Sequence, residues 1–549
     1  MNLSVRFSNA KHMQHAIAIA IVCSMLLVLT GCHLLPDLRR PEPGPGLPAS
    51  FKGATSSENS SLLGIEEFYN DPMLTSLIDQ ALVGNRELRI LNEDVQIAQN
   101  EILARSGAYL PFVGLGANAG LDRYSRFTLE GAGLLDDPYL PGKFFPNPIG
   151  NFRGGINLSW RLDIYRQLRN ARDAAAQRYL GAIDRRNYFV THLVAEIAEN
   201  YYGLMALDRR LENLDLTIEL QQRSLEVAKA LLQGARGTEL GVQRFQAEVR
   251  KNQSEKLIVK QEIIQVENRI NFIVNRFPQP VERMPAGFSE FFDLNIHTLS
   301  VGVPSQLLQN RPDIRQAERD LAAAGLDVKV ARVNFFPQLT ITGDVGLEAF
   351  NLRYLFEPQA VAGGIAGGLV GPLINFRAIK ADYLTANARQ LQSVYNYQRV
   401  ILNAFTEVIN RLSMVENYRK SIEIKKQQLE ALVASVEIAS KLFQNARAEY
   451  IDVLFAQRDM MDARRVLIDT KREQLSAIAN AYQALGGGWE HRLSRKDPAV
   501  PAPPDVAAAA RAPAMPATAP NDPAKPDAQP GNPRTPQSES ATDLPPAIP

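Results

Sequence analysis

Ser224–Arg236 reads SLEVAKALLQGAR, and Ser435–Arg447, 211 residues later, reads SVEIASKLFQNAR. The match runs on past both arginines, to Val242 against Val453 and Gln246 against Gln457. Solenoid repeats have periods of about 20–50 residues. A far longer period predicts a chain built as two copies of one large unit. Length alone, at 549 residues, would allow three or four separate domains.

Each copy carries a run that is too long for an ordinary globular helix. Between Asp163 and Ala235, apolar residues fall at Ile183, Val190, Val194, Ile197, Tyr201, Leu204, Leu211 and Leu214, and no proline interrupts them. These steps alternate between three, four and seven, the seam of a coiled coil. The second copy repeats the pattern at Val394, Ile401, Phe405, Val408, Leu412 and Val415, with no proline between Leu373 and Gly486. Such helices would reach about 100 Å at 1.5 Å per residue. Gly234 and Gly237 predict a helix stop and a reversal. Asn445 marks the corresponding place in the second copy, where no glycine stands. Return helices are expected over 238–276, before Pro278, and over 450–485, before Gly486-Gly487-Gly488. Two antiparallel helical hairpins follow. A plain soluble bundle is the competing reading, and helix length weighs against it.

The segments ahead of the long helices alternate instead. Val113, Leu115, Ala117, Ala119 and Leu121 interleave with Gly114, Gly116, Asn118, Gly120 and Asp122. Ile156, Leu158, Trp160, Leu162 and Ile164 alternate with Gly155, Asn157, Ser159, Arg161 and Asp163. Leu339, Ile341, Val345 and Leu347 behave likewise, and a fourth, glycine-rich candidate covers 361–376. Alternation gives one apolar and one polar face. A soluble sandwich satisfies that pattern, and so does an outer-membrane barrel strand of about 9–11 residues. Four strands cannot close a barrel alone, so strands in lipid would require several chains to share one.

The ends of the chain set its destination. Arg6 and Lys11 precede an apolar run over 16–30, which ends in Leu29-Thr30-Gly31-Cys32. That run is shorter than the roughly 20 residues of a spanning helix and reads as a lipoprotein signal peptide, with acylation at Cys32. His33, rather than Asp, follows the cysteine and favours the outer membrane. Cys23 leaves with the signal, so no thiol remains for a disulfide or a thiolate metal site. The 60 basic and 59 acidic residues nearly balance, which gives no field for nucleic acid. The six histidines (His12, His15, His33, His192, His297 and His491) form no HExxH, and no GxSxG or phosphate loop occurs. No enzyme and no cofactor is therefore expected. Beyond Lys496 the chain is Pro- and Ala-rich, too poor in large apolar residues to build a core.

Four motifs carry a family resemblance. They are DPMLTSLIDQALVGNREL (71–88), GGINLSWRLDIYRQLRNA (154–171), the RPDI-to-FFP stretch within 307–346, and ALGGGW (484–489). The chain resembles TolC-type outer membrane factors, in their NodT-like lipoprotein branch, over about 32–490. The resemblance implies a mainly α fold with transmembrane β structure. Three chains would share a twelve-stranded β-barrel, continued by a long periplasmic α-helical coiled-coil barrel. The chain would then divide into a signal peptide (1–31), an acylated leader (32–60), a first repeat (61–276), a linker (277–303), a second repeat (304–490) and a tail (491–549). It implies an exit duct in the outer membrane, serving an inner-membrane RND pump through a periplasmic adaptor. A type I secretion duct, or a periplasmic adaptor lipoprotein, are the alternatives.

Within that reading, Gly234, Arg236, Gly237, Asn445 and Arg447 mark adaptor-docking hairpin tips. Arg236 and Arg447 would equally serve as ordinary helix-surface ion partners. Asp452 matches the family's acidic ring at the periplasmic aperture, with an ordinary solvated surface charge as the competing reading. The next ring position is Phe455, an apolar departure, and the first copy has Gly241 where the second has Asp452. The sequence does not specify the transported substrate. Replacing the acylation site, Cys32→Ser, should remove the lipid while leaving assembly intact, because the barrel supplies the main anchor. Intact-mass measurement of both forms checks this, and a lipid-free wild-type chain would refute it.

Overall fold

A computed structural model describes residues 35–489, apart from 52–57, 286, 295, 297–299, 301, 373, 375 and 446. The signal peptide, Cys32 and the tail at 491–549 lie outside the described residues. After a five-residue helix at Ile65–Tyr69, the first half continues with α1 (Pro72–Gly84) and α2 (Arg86–Gly107). Strands β1 (Phe112–Asp122) and β2 (Ile149–Leu162) follow, then α3 (Gln167–Gln233) and α4 (Glu239–Ile273). The second half runs α5 (Pro312–Val333), β3 (Gln338–Ala349), β4 (Val361–Val370), α6 (Arg377–Gln444) and α7 (Tyr450–Ala484). The long helices α3 and α6 have 67 and 68 residues, and both return helices have 35. At 1.5 Å per residue each long helix spans about 100 Å.

Local chemistry sets the helix ends. Asp71 accepts the Met73 and Leu74 N–H groups at 2.9 and 3.1 Å and starts α1. The Asp163 carboxylate accepts the Leu168 and Arg169 N–H groups at 2.9 Å each and starts α3. Both satisfy amides that have no partner within the helix.

The four main strands form one antiparallel sheet in the order β1-β2-β3-β4. Its register sets like against like: Leu115 faces Ile156, which faces Val345, while Asn157 faces Asp344. One face is therefore apolar across the sheet. The other holds Arg153, which pairs with Asp344 and lies 3.9 Å from Glu348. Gly155 and Gly346 meet where the strands press closest, since a Cβ on Gly155 would lie 2.6 Å from the Gly346 Cα. Two strands differ from expectation. β2 begins at Ile149, so the connection before it is shorter than the 122–154 predicted, and it contains a helix at Leu129–Asp136. β4 stops at Val370, short of the 376 expected, as the chain passes Gly371 and Pro372 on its way to α6. A proline supplies no ladder donor.

The main core lies midway along the hairpins. Ile197, Tyr201 and Leu204 of α3 are buried with Phe68 and with Leu475 and Tyr482 of α7. Phe68 stacks on Tyr482 at 4.1 Å between ring centres. Above it, the RPDI and GGGW motifs meet in one polar node. Arg311, only 2 % exposed, bonds both Asp313 oxygens at 3.0 and 2.8 Å, Glu407 of α6 at 2.9 Å, and the Ala484 carbonyl of α7 at 2.7 Å. Trp489 donates to the Asn310 carbonyl at 3.0 Å. Gly486 (φ +89°) passes so near Asn310 that a Cβ would lie 2.5 Å from its carbonyl oxygen. The leader runs along α6, with Asn387 and Gln398 bonded to the backbone of Arg39 and Glu42 and Phe51 stacked on Phe405 at 5.3 Å.

The Arg311 node makes a testable claim. Removing the guanidinium leaves Asp313, Glu407 and the Ala484 carbonyl without their shared donor. Arg311→Ala should cost about 3–5 kcal/mol, read as a lower denaturation midpoint in Trp489 fluorescence. An unchanged midpoint would show that the node carries no stability.

Candidate functional site at the hairpin tips

The repeated segment forms the two hairpin turns. In the first, Ala235 takes the left-handed conformation at φ +56°. The Ala235 N–H bonds the Leu232 carbonyl at 3.0 Å, and the Arg236 N–H bonds the Leu231 carbonyl at 2.8 Å. This closes the last turn of α3 as a Schellman motif. The expected glycine stop is thus displaced: Gly234 caps at φ −77°, and the left-handed residue is Ala235. Gly237 acts through space instead, because a Cβ there would lie 2.9 Å from the Leu232 amide nitrogen.

The second tip closes by the same long bond, Arg447 N–H to the Leu442 carbonyl at 2.8 Å. Both partners stand 211 residues beyond those of the first tip. Asn445 adds a side-chain bond to the Lys441 carbonyl at 2.7 Å. The same carbonyl also takes the Asn445 backbone N–H at 3.2 Å, as the Gly234 N–H bonds the Ala230 carbonyl in the first tip, and Asn445 itself stays at φ −91°.

The return helices start differently. Thr238 Oγ1 accepts the Gly241 N–H at 3.2 Å. In the second copy the Asp452 carboxylate accepts the Glu449 N–H at 3.1 Å. Asp452 therefore holds the start of α7, a role visible in the sequence only as an acidic residue in a first turn. It is exposed, as is Phe455 at 55 %. Three residues apart, the two share one helix face.

The tips also pack on each other within one chain. Tyr450 lies over Gly241, where a Cβ would sit 3.2 Å from its ring. Phe245 and Phe443 approach to 6.2 Å between ring centres, over a core with Ala228, Val242, Val453 and Leu454. Arg236, Gly237, Thr238, Gly241, Glu449 and Tyr450 line a cleft between them. Higher up, Gln457 donates to Ser224 Oγ at 2.9 Å across α3 and α7. Among the described residues no helix is long and apolar enough to cross a membrane, and no His, Cys, Asp or Glu cluster could hold a metal ion.

Open sheet, paired long hairpins and packed tips together define a class. The chain belongs to the outer membrane efflux protein family, whose model matches residues 77–276 and 303–487. It is an outer-membrane efflux protein and not an enzyme. Among its relatives is the Cation efflux system protein CusC of Escherichia coli. The two are 27 % identical, over 84 % of this chain and 97 % of that one. The Toluene efflux pump outer membrane protein TtgI of Pseudomonas putida is 25 % identical, over 84 % and 97 %. The Probable outer membrane lipoprotein SilC of Salmonella typhimurium is 26 % identical, over 85 % and 98 %. Solved structures agree on the fold. CusC aligns at TM-score 0.71 and 24 % identity, over 83 % of this chain and all of that chain. The open-state MtrE channel of Neisseria gonorrhoeae aligns at TM-score 0.71 and 23 % identity, over 83 % and 98 %.

Proposed function

We propose that three copies of this chain form the exit duct of a tripartite RND-type efflux system. Twelve strands, four per chain, close one barrel in the outer membrane, and the hairpins continue it as a periplasmic tube. The observation that carries this reading is the open sheet. Among the described residues β1 pairs only with β2, and β4 only with β3. Its apolar face is bare: Leu115 is 87 % exposed and Ile365 80 %. Lipid covers such a face, and neighbouring copies complete the edges. Acylation at Cys32 adds a second anchor, in the periplasm-facing leaflet of the outer membrane, and the division into two repeats follows the two sets of strands and hairpins.

The work is gating rather than bond chemistry. Gly234, Arg236, Gly237, Asn445 and Arg447 present the turns to a periplasmic adaptor, which links the duct to the inner-membrane pump. Asp452 and Phe455 line the periplasmic aperture. Asp452 fixes the helix start, and Phe455 supplies the bulk that narrows the opening. Relatives are named for cations and for toluene at similar identity. The reading therefore commits to small-molecule export and to no single substrate.

Purified protein in a planar bilayer should give a small conductance that opens rarely. Phe455→Ser should raise it several-fold with no change in assembly. The absence of any conductance would overturn the duct, and an unchanged Phe455→Ser conductance would remove Phe455 from the gate.

A further inference from the structure

One cleft beside the hairpins gathers cations without carboxylates. It lies where the connection between the two repeats meets α6 and α7. A five-residue helix of that connection, Phe288–Phe292, forms one wall. Leu429 and Val433 of α6 and Leu467 of α7 line the rest, around a volume of about 460 Å³. Small-ligand sites have volumes of roughly 300–1,000 Å³. Lys426 stands 6.0 Å from the Phe292 ring centre, and the Arg464 guanidinium lies 5.3 Å from that of Phe288. Lys425 bonds Thr470 Oγ1 at 2.6 Å. Lys471 is only 6 % exposed, and its Nζ donates to the Leu294 carbonyl at 3.4 Å. Burial, and then the neighbouring Lys426, push the Lys471 ammonium down to about 8. The Arg464 Nε is buried with no hydrogen-bond partner. Among the described residues none of these four cations forms an ion pair. Asp293 and Glu212 act on Lys471 and Arg464 only through space. A buried cation without a paired anion is costly. The cleft therefore has the chemistry to take an acidic, partly apolar ligand.

The chain itself carries such a ligand. The family match ends at residue 487, and sixty residues, 490–549, follow Trp489. Basic residues are spread through the first part of that stretch, at Arg492, Arg495, Lys496, Arg511, Lys525 and Arg534. Beyond Arg534 the sequence reads TPQSESATDLPPAIP, and its only charged side chains are Glu539 and Asp543. Leu544 and Ile548 bracket Pro545-Pro546, a pattern that favours the extended polyproline conformation. Such segments dock in aromatic-lined grooves because their conformation is set beforehand. Reach is not limiting. Leu467 stands seventeen residues before Ala484, about 26 Å along α7. The fifty residues from Glu490 to Glu539 extend up to about 150 Å as a Pro-rich chain.

We infer that the acidic segment 538–549 docks in the cleft formed by the 288–292 helix, α6 and α7 of its own chain. Asp543 pairs with Lys426 and, with Glu539, supplies the negative charge that Lys471 and Arg464 lack. The stretch from Leu544 to Ile548 lies against Phe288, Phe292 and Val433. Docking makes the tail a strap that ties the connection between the repeats to α6 and α7. It uses a surface apart from the sheet and the hairpin tips, so it goes beyond the duct reading and does not depend on it.

Engineered thiols test the docking. The chain's two cysteines are Cys23 and Cys32, the first removed and the second acylated in the reading above. Full-length protein in outer-membrane vesicles would carry Ser289→Cys, at the exposed rim of the cleft, together with Ala547→Cys, and be oxidised with copper phenanthroline. The control combines Ala547→Cys with Ser76→Cys, an exposed position on α1. A denaturation midpoint equal to that of the wild type confirms that each variant folds. Mass mapping of unreduced tryptic peptides should find positions 289 and 547 joined, on chains that migrate as monomers, at a yield several-fold above the control. Asp543→Lys should cut that yield several-fold, as should Lys426→Glu, and the two together should restore it. No join, an equal yield at Ser76, joins only between chains, or a yield indifferent to both charge changes would each overturn the docking. The duct reading stands or falls separately, on the conductance above.

Discussion

Backbone hydrogen bonding at the two outer strands governs this structure. β1 and β4 each turn one row of N–H and C=O groups away from the sheet, and the sheet's apolar face makes lipid its solvent. In hydrocarbon each unsatisfied group costs several kcal/mol, which no packing inside the chain can offset. In the proposed duct, strands of neighbouring copies therefore close the sheet, since a single chain has too few to close it. Everything below the sheet inherits that condition. The long helices leave the strands as a set.

The two repeats answer this condition with one pattern and two environments. A heptad seam tells a helix to pair but does not say with which partner. α3 finds α7 inside the chain and buries its face. α6 carries the same seam and leaves much of it exposed. Exposed apolar residues at single sites are common on proteins.

Much of this was legible beforehand. The absence of proline and the regular heptads fixed α3 and α6, and strict alternation fixed β1 and β3. Family resemblance, carried by the RPDI and GGGW motifs, named the class. The reason those motifs matter lay beyond sequence: Arg311 joins Asp313, Glu407 and the end of α7, residues scattered over 173 positions. The tips were half legible. Glycine chemistry pointed to the turn at 234–237, yet Ala235 took the left-handed place, since tertiary packing can hold a residue other than glycine there. Asp452 read as a ring charge, and its bond to the Glu449 amide came only from geometry. The start of β2 was missed because Gly150 and Asn151 carry no strand signal and are held in register by β1, opposite Leu121 and Gly120.

The central claim is that one chain is a fraction of a closed barrel. Native mass of the detergent-extracted protein tests it most directly. The account predicts a single species of three chains that survives dilution. A monodisperse single chain in the membrane would contradict it, because its sheet would then have to leave two edges open in lipid.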